Sequence, residues 1–546
     1  MEYMDIFLIV LEMLGAVLLF WLAGYAQKVV NSKWRIAYAL PAVICLGVAG
    51  FAGFEVHMLG VYLGAVSLLG GFLWEGQKIR RMVSALAAVL ILLSLPICLF
   101  SSGYRTTDYV QDFKEGFAAM KEHYVLGEHK QIDWDELYAR YLPEFEAANR
   151  AHDDVANYIA WESFCQEFYD GHVSFTAKHE SSETAAHEQI FGNDYGLSLM
   201  KLADGRTVAV NVQTEGVIAD AGIHNGTVIT QWNGRTIEEI AGELEVALMS
   251  FPDKDNEAFY SALLVAGTGD DKVVITYLDD EGTSCTVEAP KLGAYYERLK
   301  ETVDTIDQGV QAGNLEWKEI NEDTYALRIK GMMYDTDSMK SRDHSAMQSE
   351  LREKLLAIRE EGVTKLVIDL RSNGGGSGDM VMALAELFAP EGEHYYVTDP
   401  VWDEENHCYK RDPETGGYLL GTEYTYQGEG LWGDGPIVML VNAQSASAAD
   451  HFTKIMRGME NITIMGFTEP NGSAQGVQGV ELESGTLSLS AQLLLDRNGD
   501  VFIDSGIDRE SGDDVDLIIP FDEEAVRALF DEGQDYVLEK ALEYMK

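Results

Sequence analysis

Val438-Met439-Leu440-Val441-Asn442-Ala443-Gln444-Ser445-Ala446-Ser447-Ala448-Ala449-Asp450 reads as a buried strand that breaks into small residues and restarts as a helix. The apolar run at its start fits a strand covered on both faces. The small residues after it leave room for a tight strand-to-helix turn. A serine at that turn sits at a helix N-terminus, where unpaired backbone N–H groups point outward and the helix dipole favours negative charge. On local grounds two roles fit Ser447. It is either a helix N-cap or a nucleophile whose developing oxyanion those N–H groups receive.

A second junction of the same kind lies upstream, Val367-Ile368-Asp369-Leu370-Arg371-Ser372-Asn373-Gly374-Gly375-Gly376-Ser377-Gly378. Its glycines let backbone approach a ligand closely and offer N–H donors to an anion. A nucleotide phosphate loop has a similar outline, but no Gly-Lys-Ser/Thr follows, which excludes it. Around the two junctions, strands Tyr325–Ile329, Lys365–Leu370 and Pro436–Val441 alternate with helices Ser345–Glu361, Met380–Phe388 and Ala448–Arg457. The alternation predicts an α/β core with a largely parallel sheet over 291–546, entered through a helical linker over 291–320. The stretch 399–432, with its acidic turn Asp403-Glu404-Glu405, predicts a long surface excursion with room to lie over the junctions.

Towards the N-terminus, residues 188–290 change to short alternating strands, Gly196–Leu202, Thr207–Val212, Thr227–Trp232 and Lys272–Leu278, separated by Gly and Asn/Asp turns. Ala219-Asp220-Ala221-Gly222-Ile223-His224-Asn225-Gly226-Thr227-Val228-Ile229, followed by Trp232-Asn233-Gly234, resembles the corresponding stretch of a PDZ domain, with Thr227 where an Asp is usual. The resemblance implies that Tyr195, Gly196, Leu197 and Ser198 form the peptide-binding loop and strand, which take up a peptide C-terminus by strand addition. Residues 104–187 read as helical, with Asp133 as an N-cap for Trp134–Ala148 and Gly171 as a stop after Val155–Tyr169.

The first hundred residues hold four apolar runs, Ile6–Ala26, Ile36–Phe54, His57–Trp74 and Met82–Phe100, each near the ~20 residues that span a bilayer. Lys28, Lys33 and Arg35 in the first connection and Lys78, Arg80 and Arg81 in the third predict that those connections face the cytoplasm. The expectation is a multi-pass cell-membrane protein, held in the lipid bilayer by four helices, that carries its large domain on the extracytoplasmic side. The formal net charge of -50 argues against nucleic acid as a partner. Five cysteines without CxxC or Cys/His spacing give neither a metal site nor a disulfide framework.

The two junctions contain Asp369-Leu370-Arg371-x-Asn373-x-Gly375-Gly376 and Asn442-x-x-Ser445-Ala446-Ser447-Ala448-x-Asp450. In that order, after a PDZ-like segment, they resemble the hallmarks of the C-terminal processing/tricorn-core family of serine peptidases, over roughly residues 105–546. The resemblance implies that Ser447 is the nucleophile and that the N–H groups of Ala448 and of Gly374 or Gly375 form the oxyanion hole. It also implies that a peptide pairs with the strand near the glycine loop, and that no cofactor is needed. One branch of the family activates its serine with a lysine twenty-five positions later, but that position here is Gly472. The tricorn-like branch uses a histidine in an Asp-x-His motif, and Asp170-Gly171-His172 matches it, so His172 is the implied general base. The acidic partner is implied to come from Phe502-Ile503-Asp504-Ser505-Gly506-Ile507-Asp508, with Asp504 chosen before Asp508. Asp450, in the first turn of the nucleophile helix, is assigned to the helix dipole.

The expected fold is therefore multidomain: a four-helix transmembrane anchor over 1–103, then an α+β part comprising a helical region (104–187), a β-rich PDZ-like domain (188–290) and an α/β peptidase core (291–546). The expected function is an endopeptidase that cleaves extracytoplasmic polypeptides through an acyl-enzyme. The rival is a membrane-bound peptide-binding or sensor protein that has lost catalysis.

Overall fold

Strand Lys365–Asp369 lies between Thr324–Ile329 and Ile437–Leu440, parallel to both, in a six-stranded sheet. Ile462–Gly466 and Leu517–Ile518 continue the sheet in parallel on one side, and Leu315–Asn321 closes the other side antiparallel. The computed structural model describes residues 107–244, 247–308, 314–403, 405–406, 408–511 and 515–546.

Alternation along the central strands splits the interior into two cores. Leu366, Ile368 and Met439 face helices Ser345–Glu360, Gly378–Phe388 and Ala448–Met456. Val367, Val438 and Leu440 face the opposite core, shared with helix Tyr536–Tyr544, with Tyr295, and with the apolar side of the 188–290 segment, including Trp232 and Tyr260. Both faces are covered, which is why these strands are apolar throughout.

A third core belongs to helices Tyr109–His123, Trp134–Ala151 and Asp154–Gln166, where Phe113, Trp161 and Phe164 pack ring against ring. Asp133 caps the second of these helices through Glu136 N, as its sequence predicts. Leu487 and Leu489 enter this core from strand Gly485–Gln492, which pairs antiparallel with Ser174–Ala177 and with Gly476–Glu481. The N-terminal helical region is thus stitched to a C-terminal strand more than three hundred residues away. The segments predicted from 104 onward all fall, from Asp108, within one compact unit, Asp108–Lys546.

Three expectations change. Among the described residues, the predicted helical linker over 291–320 is helical only at Tyr296–Asp307, and Leu315–Asn321 is the edge strand. The helix expected to reach Tyr169 ends at Gln166, before Tyr169 turns to a φ of 44°. The four-helix transmembrane anchor, and with it the multi-pass cell-membrane location, is corrected: among the described residues no helix is long and apolar enough to cross a membrane. Even the 18-residue helix Trp134–Ala151 is amphipathic, with one buried face. The four apolar runs themselves lie outside the described residues.

Arg371 ties the sheet to the C-terminal helix. It is buried, with its guanidinium donating to Asp369 Oδ1 at 2.9 Å and Oδ2 at 2.7 Å and to both oxygens of Asp535 at 2.7 Å. Removing one member of a buried ion network leaves the others uncompensated. Arg371→Ala is therefore expected to destabilise the protein by about 3–5 kcal/mol in urea unfolding. A loss under about 1 kcal/mol would show the network to be dispensable.

Candidate active site

Ser447 stands at the junction of strand Ile437–Leu440 and helix Ala448–Met456 with φ 58° and ψ −118°. Few non-glycine residues occupy that region, and those that do cluster at functional sites. Its side chain makes no capping hydrogen bond, so the N-cap role leaves its hydroxyl uncommitted. Ser445 is the contrast: fully buried, its Oγ donates to Leu370 O at 2.9 Å and accepts from Asn442 N at 3.1 Å. Ser445 is structural.

The glycine loop presses on this turn. Ala446 N donates to Asn373 O at 2.9 Å. A Cβ at Gly375 would lie 2.6 Å from both Ala446 O and Ser447 Cβ, and 2.9 Å from Ala448 N, at a φ of +93°. Only glycine permits that approach. The Gly375 N–H is spent on Asn373 Oδ1 at 3.0 Å. Gly374 is exposed, with open space around its Cβ position. No hydrogen bond among the described residues takes the N–H of Gly374 or Ala448.

His172 arrives from the helical region on a loop fixed at every residue. Asp170, fully buried, accepts from His172 N at 2.9 Å, from Ser490 Oγ at 2.8 Å and from Tyr124 OH at 3.1 Å. Gly171 N donates to Ser473 Oγ at 2.7 Å, and a Cβ on Gly171 would lie 2.3 Å from Asn471 Oδ1. The segment Asn471–Ser473 also holds the nucleophile loop: Asn471 N donates to Ser445 O at 2.9 Å and Gly472 N to Asp450 Oδ1 at 3.0 Å. This segment bridges the two loops and brings residues 170–172 to the nucleophile loop. The same packing explains the missing lysine, since a side chain at Gly472 would meet Ser511 Cβ at 2.7 Å with φ +87°. Asp450 is buried and binds this segment, beyond any interaction with the helix dipole.

The His172 ring is buried, and neither of its nitrogens has a hydrogen-bond partner among the described residues. The structure joins it directly neither to Ser447 Oγ nor to Asp504. Burial lowers its pKa, against a smaller opposing pull from Asp170, which favours the neutral imidazole that a base requires. A second histidine near it, His451, lies one helical turn past Ser447. It is fixed between Tyr396 OH at 2.5 Å and Ala474 O at 2.7 Å. Because the Ala474 carbonyl can only accept, His451 Nε2 carries the proton and Nδ1 accepts from Tyr396.

Asp504 is buried, and its Oδ2 accepts from Ala474 N at 2.7 Å and Gln475 Nε2 at 2.9 Å. Its Oδ1 is buried without a partner among the described residues, whereas Asp508 is exposed. Asp504 also lines a cavity of about 610 Å³, together with His129, Lys454 and Phe502. Burial, with Asp170 adding to it, pushes the Asp504 carboxyl up to about 7. An unfolded carboxyl titrates near ~4, so the folded state holds this proton more tightly. The resulting stability is complete below about pH 4 and is lost as pH rises through about 7. Asp504→Asn does not titrate. Urea unfolding of the wild type, measured against that variant, is expected to show relative stability falling across this window. A pH-independent difference would contradict the assignment.

Tyr195, Gly196, Leu197 and Ser198 are engaged by their own chain. Tyr195 OH donates to Asp270 O at 2.7 Å, and Gly196 N to Asp194 Oδ1 at 2.8 Å. Leu197 and Ser198 are fully buried, and Ser198 Oγ meets Thr302 Oγ1 at 2.8 Å and Tyr295 OH at 2.9 Å. No hydrogen bond among the described residues links these four to Ser447 or His172.

Comparison with known proteins agrees with this architecture. Residues 326–510 match the model of peptidase family S41, and residues 105–154 match the tricorn protease C1 domain. Among solved structures, mature CPAF in complex with lactacystin aligns with 80% of this chain and 98% of its own, at 14% identity and a TM-score of 0.51. Mature CPAF alone aligns at the same identity and TM-score over 80% and 97%. The photosystem II D1 C-terminal processing protease aligns over 79% of this chain and 99% of its own, at 17% identity and a TM-score of 0.33. At 14% identity the likeness to CPAF establishes a shared fold.

Proposed function

We propose, for a chain that belongs to peptidase family S41 and is a serine-type peptidase, that it is an endopeptidase working through an acyl-enzyme on Ser447. The observation that carries this reading is the strained Ser447 backbone, which holds an uncommitted hydroxyl beside the glycine loop. In the proposed reaction Ser447 Oγ adds to a peptide carbonyl carbon and its proton passes to His172. The carbonyl oxygen becomes an oxyanion, received by the N–H groups of Ala448 and Gly374. Gly375, whose own N–H is held by Asn373, keeps the loop in place. Collapse breaks the C–N bond, and the amine leaves with the proton from His172. Water, deprotonated by the same imidazole, then releases the acyl group.

His172 needs substrate to draw it into contact, as catalytic hydrogen bonds that are long in a free enzyme tighten in the complex. Asp504 is assigned to the acid side of the site through the loop it braces. The 188–290 segment is assigned to peptide capture, with Tyr195, Gly196, Leu197 and Ser198 as its binding strand. This role requires the Ser198–Thr302 contact to open.

The test is cleavage of unfolded casein by the full chain, with fragments identified by mass spectrometry. Internal cuts that disappear in Ser447→Ala support the reading. Cuts that persist in that variant, or an intact substrate with the wild type, remove it.

A further inference from the structure

Resting on the Ser447/His172 reading, we propose that Lys130 is a positioning residue that clamps the loop carrying His172 to the loop carrying Asp504. An ammonium group has three donors. Lys130 Nζ reaches Tyr169 O at 3.0 Å, Ser505 O at 2.8 Å and Ser505 Oγ at 3.4 Å. None of its bonds goes to a carboxylate oxygen, so its bonds fix backbone position, while its charge acts on the nearby acids across space. Tyr169 and Ser505 directly neighbour Asp170 and Asp504, and the two loops are otherwise distant in sequence.

Both loops contain backbone that needs such a restraint. Tyr169 has a φ of 44° and Ile503, a β-branched residue, a φ of 67°. Such conformations persist only where the surroundings over-determine them. Lys130 is itself presented by a tight turn, with Lys130 N donating to Leu126 O at 2.8 Å and Gln131 N to Glu128 O at 3.2 Å. The neighbouring His129 places Nε2 3.3 Å from Asp504 O. One turn of the helical region therefore grips the backbone on both sides of the site.

The charges facing Lys130 are Asp170, Asp504 and Asp508, opposed by Arg509. Other titratable groups nearby are Tyr169, whose carbonyl Lys130 binds, Tyr124, which donates to Asp170, and His129, which reaches Asp504 O. Burial lowers its pKa against the pull of these acids, and its charge in turn opposes the upward push on Asp504. Losing Lys130 therefore frees two loops and leaves Asp170 and Asp504 facing each other without their cation. Asp504 then holds its proton to higher pH, and the acidic limb of activity moves the same way.

The experiment compares full-length wild type, Lys130→Met and Lys130→Arg in casein cleavage across pH, with thermal melts and hydrogen exchange of peptides spanning 169–173 and 503–506. In Lys130→Met, kcat is expected to fall by about 10–100-fold with KM within about twofold. The acidic limb should rise by about one pH unit, and exchange should increase in both loops. Lys130→Arg, which keeps the charge and donors, should recover most of each. An unchanged pH profile and kcat, or a kcat that falls only with the folded fraction while the acidic limb stays fixed, overturns the proposal. If the wild type does not cleave casein, the parent reading fails instead. Exchange still judges the clamp: a rise in both loops supports it, and no rise overturns it.

Discussion

Ser447→Ala is expected to lower kcat for polypeptide cleavage by about 10⁵–10⁶-fold, with unfolding midpoint and binding of unfolded casein close to those of the wild type. The size follows from removing the nucleophile of a unit whose members act together. The retained stability follows from the local geometry. The Ser447 side chain makes no capping bond, so its loss costs the helix nothing there. The smaller side chain also eases an unfavourable φ only slightly, because alanine has the same Cβ. His172→Ala is expected to come within about tenfold of the same loss, since an unassisted hydroxyl is a poor nucleophile. A loss in Ser447→Ala matched by a collapse in melting temperature would reassign Ser447 to structure.

Gly375→Ala is the second large effect, and it acts through sterics alone. The residue sits at φ +93°, where an L side chain is strained by about 1–2 kcal/mol. Its new Cβ would meet Ala446 O and Ser447 Cβ at 2.6 Å and Ala448 N at 2.9 Å. Two of those three atoms are backbone and the third is the nucleophile's own Cβ, so no flexible side chain can yield. The loops must part, at an overpacking cost of about 1–3 kcal/mol. A displacement approaching ~1 Å at Ser447 costs about 100-fold in rate. Activity is therefore expected to fall at least about 100-fold, together with a drop of several degrees in melting temperature. Gly374→Ala provides the comparison. It has open space and an ordinary φ, keeps its N–H, and should leave the melting temperature unchanged. Equal melting temperatures for Gly374→Ala and Gly375→Ala would refute the tight approach.

Ser447 and the glycine loop were legible in the sequence because each is a local event: an apolar strand, a break in small residues, and a helix. The parallel order of the core strands followed from the same alternation. The proposed role of His172 rests in the sequence on the Asp-x-His pattern alone, since nothing in its immediate neighbours points to a loop nearly three hundred residues away. The means by which it is brought there were not legible. Strand Gly485–Gln492 pairs with Ser174–Ala177, and Ser473 and Asn471 hold Gly171. The first is a pairing of strands far apart in sequence and the second a packing of polar residues around a glycine, and local periodicity names the partner in neither. Lys130 escaped for the same reason, appearing in sequence as one more charge in a polar turn. Leu315–Asn321 misled because, as an edge strand with mostly exposed side chains, it lacks the apolar run that marks its neighbours. Asp504 and Asp508 stand four apart in a loop, and only burial separates them.

Ser447 is proposed as a nucleophile made reactive by His172, and the structure brings the two residues to neighbouring loops without joining them. Its most direct measurement is labelling of the full-length protein with a fluorophosphonate probe, with the adduct mapped by peptide mass spectrometry. A single adduct on Ser447 is expected, absent in Ser447→Ala and formed at least about 100-fold more slowly in His172→Ala. An adduct on another residue, or labelling of Ser447 at the wild-type rate in His172→Ala, would contradict it.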